Sequence, residues 1–100
     1  MEILDIPAPV AGGGDVQFTH LMNRGGWQLV RIFLREGAVL RRHISPFPAT
    51  VAVISGVGVM EVGEERTDLK PGRLVSFNAG DPHEVRAQSD LVFLVVKYPE

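Results

Sequence analysis

Apolar and polar residues alternate over short runs along most of the chain, and glycine or proline separates the runs. A period of two residues is typical of strands with one buried face. The pattern predicts a short edge strand at 1–6 and further strands at 16–22, 27–34, 39–45, 50–54, 57–62, 66–69, 74–77, 83–87 and 91–96. No segment shows a credible helical pattern. Short strands at such regular spacing favour a β-sandwich or barrel.

The segment between 50 and 62 contains the sequence Ser55-Gly56 between two apolar runs. A glycine in such a two-residue connection is typical of a tight β-hairpin. We therefore expect the strands on either side of Gly56 to pair with each other.

The strand at 27–34 is apolar on both faces. Trp27, Leu29 and Phe33 share one face with Arg31, and the residues between them form an equally apolar second face. A strand that is apolar on both sides is covered on both sides. In an all-β chain a second subunit is a natural cover, so we expect a homodimer that buries surplus strand faces and the N-terminal strand.

The composition fits one small domain. The chain has 100 residues, of which 45% are hydrophobic, and this length corresponds to a single domain spanning 1–100. The hydrophobic fraction is high for so small a chain, which again favours some apolar burial against another subunit.

Charge and cysteine content exclude several classes of partner and site. The net charge is −2 and no basic run stands out, so we expect no nucleic-acid and no membrane partner. The chain has no cysteine, which excludes disulfides, thiolate metal sites and a cysteine nucleophile. The N-terminus lacks a basic start followed by an apolar run, and no apolar run is long enough to span a membrane. These features predict a cytoplasmic protein.

Two histidines on separate predicted strands are the candidate chemistry. His43 and His83 each follow a glycine-marked turn. Imidazoles from separate strands are common ligands of a mononuclear metal site. Ser45 lies two residues after His43 and Arg41 two before it, so strict alternation places all three on one face.

These residues resemble the two motifs of the cupin family. In the first motif, at 37–56, Gly37, His43 and Gly56 stand at the family's spacing. Ser45 replaces the family's second histidine, and Ala49 replaces its glutamate.

The second cupin motif, at 72–87, is similarly altered. Gly72, Gly80 and His83 match it, whereas Asn78 replaces a proline and Ala87 an asparagine. The short segment between the motifs is similar to that of compact microbial cupins. The resemblance implies an all-β cupin (RmlC-like) antiparallel double-sheet jelly-roll barrel.

The resemblance also implies a central site. Cupins usually hold their metal with three histidines and one glutamate, and this chain keeps one ligand in each motif. It implies one divalent transition metal (zinc, iron, manganese, nickel or copper) held weakly by His43 and His83. The pocket would be lined by His43, Ser45 and His83, with Arg41 near its mouth.

Three functions stay open. The first is a barrel that binds a small polar or anionic metabolite, in which the histidines only form hydrogen bonds or hold a weak metal. The second is a metal-dependent oxygenase, isomerase or decarboxylase with further ligands that the motifs do not show. The third is a non-catalytic dimerisation or regulatory module. His20 lies outside both motifs and is predicted to be a surface or interface residue.

Overall fold

The computed structural model describes residues 1–99 and consists of strands, turns and loops. The strands are β1 (Val16–Arg24), β2 (Trp27–Leu34), β3 (Val39–His43), β4 (Ala49–Ser55), β5 (Gly58–Val62), β6 (Glu65–Leu69), β7 (Leu74–Phe77), β8 (His83–Ala87) and β9 (Leu91–Lys97). They follow the alternating segments of the sequence closely. No part of residues 1–99 forms a helix that is long and apolar enough to cross a membrane.

Two antiparallel sheets form the barrel. One has five strands in the order β1-β2-β9-β4-β7, and the other has four in the order β3-β8-β5-β6. The apolar core lies between their inner faces, as the period-two patterns predict. It includes Val30, Ile32, Leu34, Val51, Val53, Met60, Leu69, Phe77, Val85, Leu91, Phe93 and Val95.

The connection at Gly56 joins the two sheets. β4 belongs to the five-stranded sheet and β5 to the four-stranded sheet, so the predicted hairpin between them is wrong. Gly56 has φ +84, and a Cβ on it would lie 1.9 Å from the carbonyl oxygen of Asp90. The position therefore needs glycine for a close backbone approach as well as for its φ. The hairpin in this region is formed instead by β5 and β6.

The N-terminal segment is not a strand. The strand predicted at 1–6 is absent, and residues 1–10 have no regular structure. This segment is tied to the outer face of the five-stranded sheet, where Arg31 donates a hydrogen bond from Nη1 to the carbonyl of Pro7 (3.0 Å) and from Nη2 to Thr19 Oγ1 (2.8 Å). Arg31 is only 1% exposed. Part of the outer face that we expected a second subunit to cover is thus covered by the chain itself.

Candidate functional site

A cavity of about 250 Å³ opens between the two sheets at one end of the barrel. Most of its lining is apolar and continuous with the core. Its polar lining residues are His20, His43, Ser45, His83 and Lys97. The predicted residues His43, Ser45 and His83 are therefore brought together in one space.

The four-stranded sheet contributes what we call the histidine wall, which consists of His43 and His83. The two residues are direct cross-strand partners on β3 and β8. Their rings are 4.1 Å apart between centroids, with an edge-to-face angle of 63°. His43 is exposed at the mouth, whereas His83 is only 6% exposed. The wall thus has one imidazole near solvent and one inside.

Both imidazoles are held in the same way. His43 Nδ1 donates to the carbonyl of Arg41 at 2.8 Å, and His83 Nδ1 donates to the carbonyl of Asp81 at 2.9 Å. Because a carbonyl only accepts, these bonds fix the proton of the neutral ring on Nδ1. Nε2 of each neutral ring is then an acceptor on the opposite edge.

The surroundings of His83 favour its neutral form. Its ring stacks at a tilt against Phe77, with centroids 4.2 Å apart. Burial lowers the pKa of His83, and electrostatic repulsion by its neighbours His43 and Lys97 lowers it further, against the hydrogen bond to the backbone of Asp81 and the charge of Asp81, which raise it. A neutral His83 offers an acceptor rather than a cation to the cavity.

Arg41 does not line the cavity, contrary to the expectation from strict alternation. Leu40 pairs with Val85 and His43 with His83, so β3 uses one residue more than β8 over this interval. This irregularity is a β-bulge, and it shifts the alternation between Leu40 and His43. The cavity therefore receives Leu40 and His43.

Arg42, which lies between Leu40 and His43 in the bulge, contacts residues on the outer face of the four-stranded sheet. Its guanidinium lies 3.7 Å from Glu61 and 3.8 Å from Glu84. None of these three charged residues lines the cavity, so Arg42 does not supply a charge to the pocket.

Ser45 and Ala49 occupy the altered motif positions, and both line the cavity. Ser45 Oγ accepts a hydrogen bond from the amide of Phe47 at 3.2 Å, so its hydroxyl proton remains free to donate. Ala49 is 1% exposed. The position that carries glutamate in the family is here a small apolar surface beside the core.

The five-stranded sheet contributes what we call the lysine wall, which consists of Lys97, Ala49 and His20. Ala49 and Lys97 are cross-strand partners on β4 and β9, so their side chains share a face. His20 is exposed at the rim of the cavity on β1. An ammonium group therefore stands beside the position from which a carboxylate is missing.

Lys97 and His20 were not among the predicted site residues. The strand predicted at 91–96 ends with its apolar run, but β9 continues to Lys97. Extending its alternation by one step from Leu91, Phe93 and Val95 places Lys97 on the inner face. The same step from Phe18 on β1 places His20 there.

The cupin-domain family model matches residues 30–97, which contain both altered motifs. This match covers more than half of the chain. The chain belongs to the cupin family. The fold class predicted from the sequence, an antiparallel double-sheet barrel, is confirmed by this match and by the two sheets. No curated protein matches the sequence.

Solved structures similar to this cupin share its fold over most or all of the chain. An RmlC-like cupin from Desulfovibrio desulfuricans has a TM-score of 0.85 at 19% identity, covering 99% of this chain and 97% of its own. A conserved protein of unknown function from Streptococcus pyogenes has a TM-score of 0.76 at 25% identity, covering 100% and 97%. A predicted oxalate decarboxylase from Thermotoga maritima has a TM-score of 0.78 at 21% identity, covering 87% and 83%.

The residues of this cupin do not complete the family's metal site. Within residues 1–99, no group of three or more histidine, cysteine, aspartate or glutamate side chains is placed to hold a metal. His43 and His83 supply two nitrogen ligands, whereas Ser45 is a poor ligand and Ala49 is none. Lys97 adds a positive charge to the same cavity. A catalytic metal usually has three protein ligands, so this donor set is short of one and carries an opposing charge.

Proposed function

We propose that this protein is a small-molecule-binding cupin whose central cavity takes a small polar or anionic metabolite through His43, Ser45 and His83. The observation that carries the proposal is a cavity of about 250 Å³ in which these three residues meet and which no aspartate or glutamate of residues 1–99 lines. Small-molecule sites are commonly apolar cavities with a few convergent polar groups.

The test is the release of bound metabolites from the purified, untagged protein by denaturation, followed by mass spectrometry. The Ser45→Phe variant fills the mouth of the cavity, and Ser55→Phe is its matched control on an exposed residue outside the cavity. We expect a small molecule that is retained by the parent and by Ser55→Phe and lost from Ser45→Phe. Equal retention by both variants would contradict binding in the cavity.

A metal-dependent function is supported by one observation. The imidazoles of His43 and His83 lie 4.1 Å apart, with both Nε2 acceptors unused by the residues that the structure describes. Two such nitrogens bind zinc, iron, manganese, nickel or copper weakly when water completes the shell.

Elemental analysis of protein kept free of chelator separates the two functions. We expect far less than one metal per chain after incubation with these ions and gel filtration. One equivalent of a transition metal per chain would favour the metal-dependent function instead.

We also propose that two copies associate through the outer face of the five-stranded sheet. Ile54 and Leu74 on this side are 48% and 67% exposed and lie on the neighbouring strands β4 and β7, and exposed apolar patches mark interfaces. Sedimentation should give a dimer for the parent and a monomer for Leu74→Arg. Ile44→Arg is the matched control, since Ile44 is 65% exposed at the cavity mouth and its substitution should leave the dimer intact.

A further inference from the structure

Lys97 is placed in the cavity by the alternation of β9. Phe93 and Val95 on the same strand point inward and line the cavity, and Lys97 is the next inward position. Its cross-strand neighbours are Gln28 on β2 and Ala49 on β4. The space that a longer side chain would fill at Ala49 is therefore adjacent to the lysine side chain.

The charge of Lys97 is unbalanced within the cavity. None of the lining residues is acidic, and Lys97 forms no ion pair within 4 Å with the residues described, 1–99. Lys97 and His83 line the same cavity from the two different sheets. A ligand that brings a negative charge would complement this group.

The histidine wall complements a different group on the same ligand. Since Nδ1 of each ring donates to a backbone carbonyl, Nε2 of a neutral ring accepts a hydrogen bond. An acceptor nitrogen repels a carboxylate but accepts a hydrogen bond from a ligand hydroxyl. The remaining lining is apolar and includes Phe18, Leu40, Ile44 and Phe93.

We infer that the cavity binds a small hydroxy acid with an apolar body, whose carboxylate is held by Lys97 and whose hydroxyl donates to Nε2 of His83. Lys97 thus supplies positive charge at the place where the missing glutamate would have helped to hold a metal. This inference rests on the proposed function of the same cavity and names its ligand class.

Titration calorimetry with three related probes tests the inference. Mandelate carries the apolar ring, the hydroxyl and the carboxylate, phenylacetate lacks the hydroxyl, and mandelamide lacks the charge. We expect mandelate to bind most tightly. The dissociation constants of phenylacetate and mandelamide should each be at least about tenfold higher, as is usual when a hydrogen bond to a charged or buried group is lost. Inorganic phosphate, which has no apolar body, should bind still more weakly.

Variants of the two lysines of the chain identify the anchor. Lys97→Met should weaken mandelate binding by at least about tenfold and remove the preference over mandelamide, because the charge-assisted bond is lost. Lys97→Arg keeps the charge and should restore most of the affinity. Lys70→Met removes the same charge from an exposed turn and should change the affinity by less than about twofold, since exposed charges are screened.

The outcomes separate this inference from the proposed function. If mandelate and mandelamide bind equally and Lys97→Met has no effect while Ser45→Phe abolishes binding, the cavity binds small molecules but Lys97 is not the anchor, and the inference is overturned. If no probe binds and no metabolite is retained by the parent, both proposals are overturned. Circular dichroism and thermal unfolding of each variant show whether the barrel is folded.

Discussion

The two walls of the cavity differ in what they keep of the family's chemistry. The histidine wall retains one motif histidine on each of two adjacent strands, paired across the sheet with rings 4.1 Å apart. The lysine wall has Ala49 at the glutamate position and the ammonium of Lys97 as its direct neighbour. One wall presents two imidazole rings, whereas the other presents a cation.

The difference shows that the residues lining the cavity can change while the barrel fold is kept. The strands and glycine turns that place the two walls are intact, and the altered residues Ser45 and Ala49 of the first motif both line the cavity. Ala49 carries no carboxylate, and the neighbouring Lys97 carries an ammonium group. The lining of the cavity therefore attracts negative rather than positive charge. This charge is the basis for the proposal that the cavity binds an anion.

The largest expected effect compares two residues of β9, the strand that carries Lys97. Phe93 is 1% exposed in the core, so Phe93→Ala should lower the free energy of unfolding by about 3–5 kcal/mol. Lys97→Met at the cavity should change it by less than about 0.5 kcal/mol, as is usual for sites outside the core. Urea denaturation measures both. A comparable loss in Lys97→Met would show that Lys97 serves stability rather than binding.

The second effect comes from rebuilding the missing ligands. Ser45→His with Ala49→Glu restores the family's set, but the carboxylate introduced at position 49 would face Lys97 and form an ion pair with it. Adding Lys97→Met should therefore give the tightest zinc binding, at least about a hundredfold above the parent, because even groups outside the ligand shell are worth about 10–100-fold. Titration with Zn²⁺ against a chromophoric chelator measures the gain.

The control for this rebuilding places the same side chains outside the cavity. Ser55→His with Ala52→Glu adds an imidazole and a carboxylate at positions that do not line it. We expect no gain in zinc affinity from that pair. Equal affinities of the rebuilt site and the control would mean that the two walls do not face each other as described.

The smallest effect is a pH dependence carried by the histidine wall. The pKa of His83 is lowered from 6.5, mainly by burial, so between its folded pKa and 6.5 the unfolded chain binds more protons than the folded chain. The stability contribution is fully present above pH 6.5 and decreases as the pH falls through that interval.

Urea denaturation across this range measures the slope. His83→Asn should flatten it. His20→Asn at the rim should leave it in place, because His83 is still present. A slope that is unchanged in His83→Asn would show that another group is responsible.

Local patterns predicted most of the strands, because alternation and glycine turns act over a few residues. The strands at 27–34, 74–77 and 83–87 agree with β2, β7 and β8 at both ends. His43 and His83, which the resemblance to the cupin motifs singled out, both line one cavity.

Features that depend on contacts between distant segments were not predictable in the same way. The bulge opposite Glu84 moves Arg41 out of the cavity, and its cause is the pairing of β3 with β8 rather than the sequence of β3 alone. The crossing at Gly56 is set by the approach of Asp90. Lys97 was missed because a charged residue ends an apolar run, although the period of the strand continues through it.

The measurement that tests the central claim most directly is an NMR titration of the parent protein with mandelate, which follows the side chains of both walls. The account predicts saturable shifts of the Lys97 ammonium and of the His43 and His83 rings, with the outer face of the five-stranded sheet unaffected. Shifts confined to the outer face, or none at either wall, would contradict an anion-binding cavity between the sheets.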